Sequence, residues 1–80
     1  MSNSKLKIKL YGYLADDIGE VLETDPLNTL GDLLSYIEER YPDLSRKQFS
    51  VAINRAVEND LQKIISCSDE LAFLPPFAGG

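Results

Sequence analysis

Histidine is absent from the 80 residues, and cysteine occurs once, at Cys67. Without a His/Cys cluster there is no zinc site, and without histidine there is no Cys/His or Ser/His pair to activate a nucleophile. A lone thiol forms no internal disulfide and cannot ligate an iron-sulfur cluster, which needs a set of cysteines. Cys67 is read as a small, semi-buried apolar residue with no chemical role. Long apolar runs are missing too: the longest span a few residues, far below the roughly 18 that read as a membrane-spanning helix. The opening "MSNSKLKIKL" lacks the apolar block of a signal peptide, so a cytoplasmic protein with no membrane contact is expected. Positive charge is scarce and scattered. Thirteen acidic against eight basic side chains give a formal charge of -5, which repels nucleic-acid phosphates and anionic membranes unless the cations are gathered. They are not: Lys5, Lys7 and Lys9 alternate along one segment, as on the solvated face of a strand. Two classes remain, a binding module or a protein whose chemistry lies on its backbone or terminus.

With 44% hydrophobic and 26% charged residues the chain has the composition of a globular domain. A chain this short buries only about 60 to 65% of its unfolded surface and supports one core. Its elements are therefore read as one unit. "KLKIKLYGY" alternates, with Leu6, Ile8 and Leu10 on one face and Lys5, Lys7, Lys9, Tyr11 and Tyr13 on the other, the pattern of a half-buried strand. "LADDIG" suits a turn of helix ending at Gly19, and "EVLETD" a second strand closed by Asp25-Pro26. In "NTLGDLLSYIEERYP", Leu30, Leu33, Leu34, Ile37 and Tyr41 fall at helical spacing. Thr29 fits the N-cap, Asp32 the acidic partner of a capping box, and Pro42 the stop. "PDLSRKQ" reads as a loop. "FSVAINR" alternates again, with Phe49, Val51 and Ile53 inward and a turn at Asn54 and Arg55; "AVEND" suits a short return strand. "LQKIISCSD" is expected to bring Leu61, Ile64 and Ile65 back to the core. "ELAFL" reads as a last strand with Leu71 and Phe73 on one side and Ala72 and Leu74 on the other. The predicted order is β-β-α-β-β-β, an α+β fold with one main helix across one face of a mixed sheet. This is the order of a ubiquitin-like β-grasp. Its first and last strands neighbour each other, which would place Tyr11 and Leu74 side by side on the face away from the helix, the start of an apolar patch.

The chain closes on "FLPPFAGG", without a charged side chain. Pro75 and Pro76 donate no ladder hydrogen bond and favour extended geometry, so the last strand is expected to end at Leu74. Residues 75–80 then form a spacer of roughly 19 Å at about 3.1 Å per residue, stiff at its base and flexible at its diglycine tip. Gly79 and Gly80 put no side chain beside the terminal carbonyl, so a narrow channel can close around it and a nucleophile can reach it. A free carboxylate has no leaving group, and attachment of AMP would supply one; activation of Gly80 thus calls for ATP and a second enzyme. Phe77 reads as an anchor for a partner's groove.

"IKLYGYLADDIG", "NTLGDLLSYIEERYPDL", "VAINRA" and "SDELAFLPPFAGG" together resemble the sulfur-carrier family that contains the small subunit of molybdopterin synthase (MoaD-like) and the thiamine-pathway carrier (ThiS-like). The paired prolines before the diglycine resemble the molybdopterin branch. The resemblance implies a single ubiquitin-like β-grasp domain over residues 1–80, with a core of about 5–74 and a projecting tail. It implies that an adenylating enzyme (MoeB-like) consumes ATP to convert Gly80 to an acyl adenylate. A sulfur donor of cysteine desulfurase or rhodanese type would then make the terminal thiocarboxylate. It further implies that Pro75, Pro76, Phe77, Ala78, Gly79 and Gly80 enter the large subunit of the synthase (MoaE-like) and deliver sulfur to a cyclic pterin phosphate. Tyr11, Val57 and Leu74 match family positions at the subunit interface. On this reading the chain is no enzyme by itself, carries no permanent cofactor or metal, and leaves catalytic side chains to its partner. A carrier for another pathway, of thiamine type, or a ubiquitin-like modifier would use the same activated diglycine.

Overall fold

Leu6, Ile8 and Leu10 all turn to the interior from β1 (Leu6–Leu10), while Lys7 and Lys9 between them face solvent. The period-two pattern thus becomes a strand with one buried face. The computed structural model describes residues 5–76. After β1 come a 3-10 turn (Gly12–Ala15), β2 (Val21–Thr24), α1 (Leu30–Arg40), α2 (Pro42–Arg46), β3 (Ser50–Ile53), β4 (Ala56–Val57) and β5 (Leu71–Leu74). The strands form one sheet in the order β2-β1-β5-β3-β4. β1 and β5 run parallel, and every other pairing is antiparallel. The expected element order along the chain and the expected neighbourhood of first and last strand both hold.

α1 begins where the capping residues place it. The Thr29 hydroxyl accepts from the Asp32 amide at 3.2 Å, and the Asp32 carboxylate accepts from the Thr29 amide at 3.3 Å, which satisfies two groups at the helix start. Leu30, Leu33 and Ile37 are buried against the sheet, with Leu34 and Tyr41 half-buried at the margin. Facing them are Leu6, Ile8, Leu10 and Leu22 from one half of the sheet and Val51, Ile53, Leu71 and Phe73 from the other. Phe73 is stacked on Phe49 at 4.5 Å.

Three local expectations are corrected. The segment read as the loop "PDLSRKQ" contains α2, and Pro42 opens this helix besides ending α1; proline's missing amide costs nothing in the first turn, where that group has no helical partner. The helical turn expected in "LADDIG" sits earlier, at Gly12–Ala15. Leu61 and Ile64 do not return to the core: they are 54% and 68% exposed, and only Ile65 is buried. The cause lies in the backbone. The carbonyls of Leu61 and Lys63 each accept from a first-turn amide of α1, Gly31 and Leu30, at 2.9 Å, and the Ile65 amide donates to Asn28 at 3.0 Å. The segment is a strap that satisfies amides left open at the helix start. Its main chain is committed to that role, and two of its apolar side chains are turned outward.

Candidate functional site

The sheet face opposite α1 is built by register. Lys9 pairs with Ala72, Ala72 with Ala52, and Ala52 with Val57, so these side chains form one row across four strands. The next row starts at Tyr11, whose amide donates to the Phe73 carbonyl at 3.3 Å, and continues to Leu74, which pairs with Ser50. Alanine at 52 and 72 leaves a low floor between taller neighbours. The result is an open concavity of about 380 Å³ that Tyr11, Val57 and Leu74 line together with Lys9, Arg55 and Glu70. The three residues singled out in the sequence for an interface therefore lie together on one surface. Tyr11 is 45% and Val57 59% exposed, whereas Leu74 is half-buried.

The base of the tail springs from the edge of this surface. β5 makes its last pair at Leu74, as expected from the two prolines that follow. Pro75 then packs over Gly12, which has φ +59°, and a Cβ built on Gly12 would stand 3.1 Å from the Pro75 Cγ. Glycine is needed there twice, for the left-handed backbone and for the close approach. The sequence reading passed over Gly12; its signal was a glycine set between two tyrosines at a strand end. Gly12→Ala is expected to destabilise the fold by about 1–2 kcal/mol through left-handed strain and to shift Pro75, which urea denaturation and amide chemical shifts of the full chain will show. Pro76 lies over a second groove, beside Leu34, Phe49 and Leu61. Phe77, Ala78, Gly79 and Gly80, including the expected point of activation, lie outside the described residues.

Two exposed ion pairs lie on or near this face of the sheet. Lys5 and Asp25 meet at 2.7 Å. The hydrogen bond and charge of Asp25 raise the Lys5 pKa above its ordinary value, and the same contact holds the Asp25 carboxyl below its own. Arg55 reaches Glu70 at 3.5 Å. Cys67 is half-buried against the core. Among the described residues no group of three or more His, Cys, Asp or Glu side chains is arranged to hold a metal ion. No helix among them is long and apolar enough to cross a membrane.

One main helix held across a sheet of five strands among the described residues, with parallel first and last strands at its centre, makes this a ubiquitin-like β-grasp protein. The chain belongs to the ThiS family of small sulfur carriers, which matches residues 8–80. Solved structures share the fold. The chain aligns with the protein-protein complex of subunit 1 and 2 of molybdopterin-converting factor from Helicobacter pylori 26695 at 19% identity and a TM-score of 0.73, covering 95% of this chain and 99% of that one. SAMP1 from Haloferax volcanii is 25% identical, with a TM-score of 0.75 and the same coverages, 95% and 99%. The H. volcanii small archaeal modifier protein 1 is also 25% identical, with a TM-score of 0.74 over 92% of this chain and 99% of that one. No curated protein matches the sequence.

Proposed function

We propose that the chain is the sulfur-carrier subunit of a molybdopterin synthase, and that its reactive group is the main-chain carboxylate of Gly80. A carboxylate oxygen attacks the α-phosphate of ATP in an adenylating enzyme and expels pyrophosphate, which leaves an acyl adenylate. The terminal sulfur of a persulfide donor attacks the acyl carbon and expels AMP. A thiol then cleaves the resulting acyl disulfide, taking the donor's remaining sulfur into a disulfide and releasing the thiocarboxylate. That group is ionised at neutral pH and polarisable, a nucleophile for a cyclic pterin phosphate held by a large subunit, where two carriers complete one dithiolene. The chain acts as donor, and catalytic side chains belong to its partners. Tyr11, Val57 and Leu74 form the docking face, and residues 75–80 enter the partner.

The family match over residues 8–80 carries this reading, because it includes the diglycine end. The molybdopterin branch is favoured by the paired prolines in "SDELAFLPPFAGG" and by a fold shared with a chain from a two-subunit molybdopterin-converting factor. A second reading, a ubiquitin-like modifier joined to lysine amines, is favoured by the small archaeal modifier protein at 25% identity. Intact mass separates them. Incubation with ATP, the cognate adenylating enzyme and a persulfide donor is expected to replace one C-terminal oxygen by sulfur, and the product is expected to convert cyclic pterin phosphate when the cognate large subunit is added. An unchanged mass, with branched lysine peptides in the source cells, would put the modifier reading in its place.

A further inference from the structure

The turn between β3 and β4 holds two non-glycine residues in left-handed backbone, Asn54 at φ 53° and Arg55 at φ 72°. Ile53 and Ala56 pair across it, which makes it a two-residue hairpin of the kind that prefers Asn-Gly. Asn54 repays its conformation. Its amide donates to the Glu70 carbonyl at 2.7 Å, its side-chain oxygen accepts from the Glu70 amide at 2.9 Å, and its side-chain nitrogen donates to Asp69 at 3.1 Å. Arg55 has no such return. Its one ion pair among the described residues, to Glu70 at 3.5 Å, joins side chains that are 85% and 46% exposed, and pairs of that kind add little stability. A strained position occupied by a long cation, where glycine would be easier, points to use outside the fold.

Its location says which use. Arg55 stands on one side of the concavity and Lys9 on the other, with Ala52 and Ala72 between them. Lys9 faces Val21 across β1 and β2 and has no ion pair among the described residues. The carboxylate on this rim, Glu70, is already engaged by Arg55. A chain of net charge -5 thus presents an apolar floor flanked by two cations. We propose that Arg55 and Lys9 select a protein partner whose docking surface has an apolar centre flanked by carboxylates, and that one of those carboxylates replaces Glu70 on Arg55. Complementary charge of this type sets partner choice and encounter rate more than total affinity. The inference rests on the docking face proposed above.

The test uses the full chain titrated separately against its cognate adenylating enzyme and its cognate large subunit, at low and high ionic strength. Arg55→Gly is expected to raise the melting temperature by about 3 °C, since relief of left-handed strain outweighs the greater freedom of glycine in the unfolded chain. It is also expected to weaken binding to at least one partner by about threefold to tenfold at low salt and to flatten the salt dependence. Greater stability with weaker binding is a result that a purely structural arginine does not produce. Wild-type affinity in Arg55→Gly, or a lower melting temperature, overturns the proposal. Val57→Asp, on an exposed edge position, keeps the two levels apart. If it loses binding while Arg55→Gly does not, only the role of Arg55 fails; if both bind as wild type, the docking face fails with it.

Discussion

Amidation of Gly80, or deletion of Gly79 and Gly80, is expected to abolish sulfur loading and transfer completely while leaving the melting temperature unchanged. An amide has no carboxylate oxygen to attack ATP, so no acyl adenylate forms and no AMP can later depart. The deletion acts through geometry: two residues fewer shorten an extended tail by roughly 6 Å, whereas reacting atoms must come within about 3–3.5 Å of one another. Ala78 would also bring a methyl group beside the new terminal carbonyl. Neither change alters the last strand, which ends at Leu74. Intact mass and pterin conversion measure the loss, and a thermal melt measures the body. Sulfur incorporation into the amidated chain would show that the reactive centre lies elsewhere.

Phe73→Ala is expected to cost about 3–5 kcal/mol and to leave the domain at the edge of unfolding, since a chain of this length has roughly 4–12 kcal/mol of stability in all. Phe73 is fully buried. It pairs with Leu10 on one side and Val51 on the other, and it stacks on Phe49 with an interplanar angle of 16°. Its removal opens a void beneath the central strand, where the backbone is fixed on both sides and cannot collapse to fill it. Urea denaturation followed by circular dichroism gives the value; a loss below about 1 kcal/mol, smaller than core truncations of this type, would contradict the burial. Leu74 lies one residue further on and faces the other way. On the docking face proposed above, a polar change there is expected to weaken partner binding, which would separate stability from function within one strand.

Alternation and spacing named the elements. Leu6, Ile8 and Leu10 in one strand and Leu71 and Phe73 in another are buried where the period of two puts them. Thr29 and Asp32 made the start of α1 readable because a cap depends on neighbours within one turn. Readability ended where a residue's fate depends on a distant backbone. Ala52 is buried although it faces away from α1, and Leu61 and Ile64 are outward because amides of α1, some thirty residues earlier in the chain, claim the main chain of their segment. Local hydrophobicity does not report such a claim.

By itself the sequence determined which side-chain chemistries are missing: with no histidine and one cysteine there is no Cys/His or Ser/His pair and no zinc cluster, and residue type alone decides that. The makeup of the open sheet face was decided by tertiary structure. Lys9, Ala52, Val57 and Leu74 come from four strands and Tyr11 and Arg55 from the connections after β1 and β3, and only the pairings of β1 with β5, β5 with β3 and β3 with β4 align them. The physical reason is that strand register is set by long-range hydrogen bonds and by burial of the opposite face, both of which exist only once the chain has closed on itself.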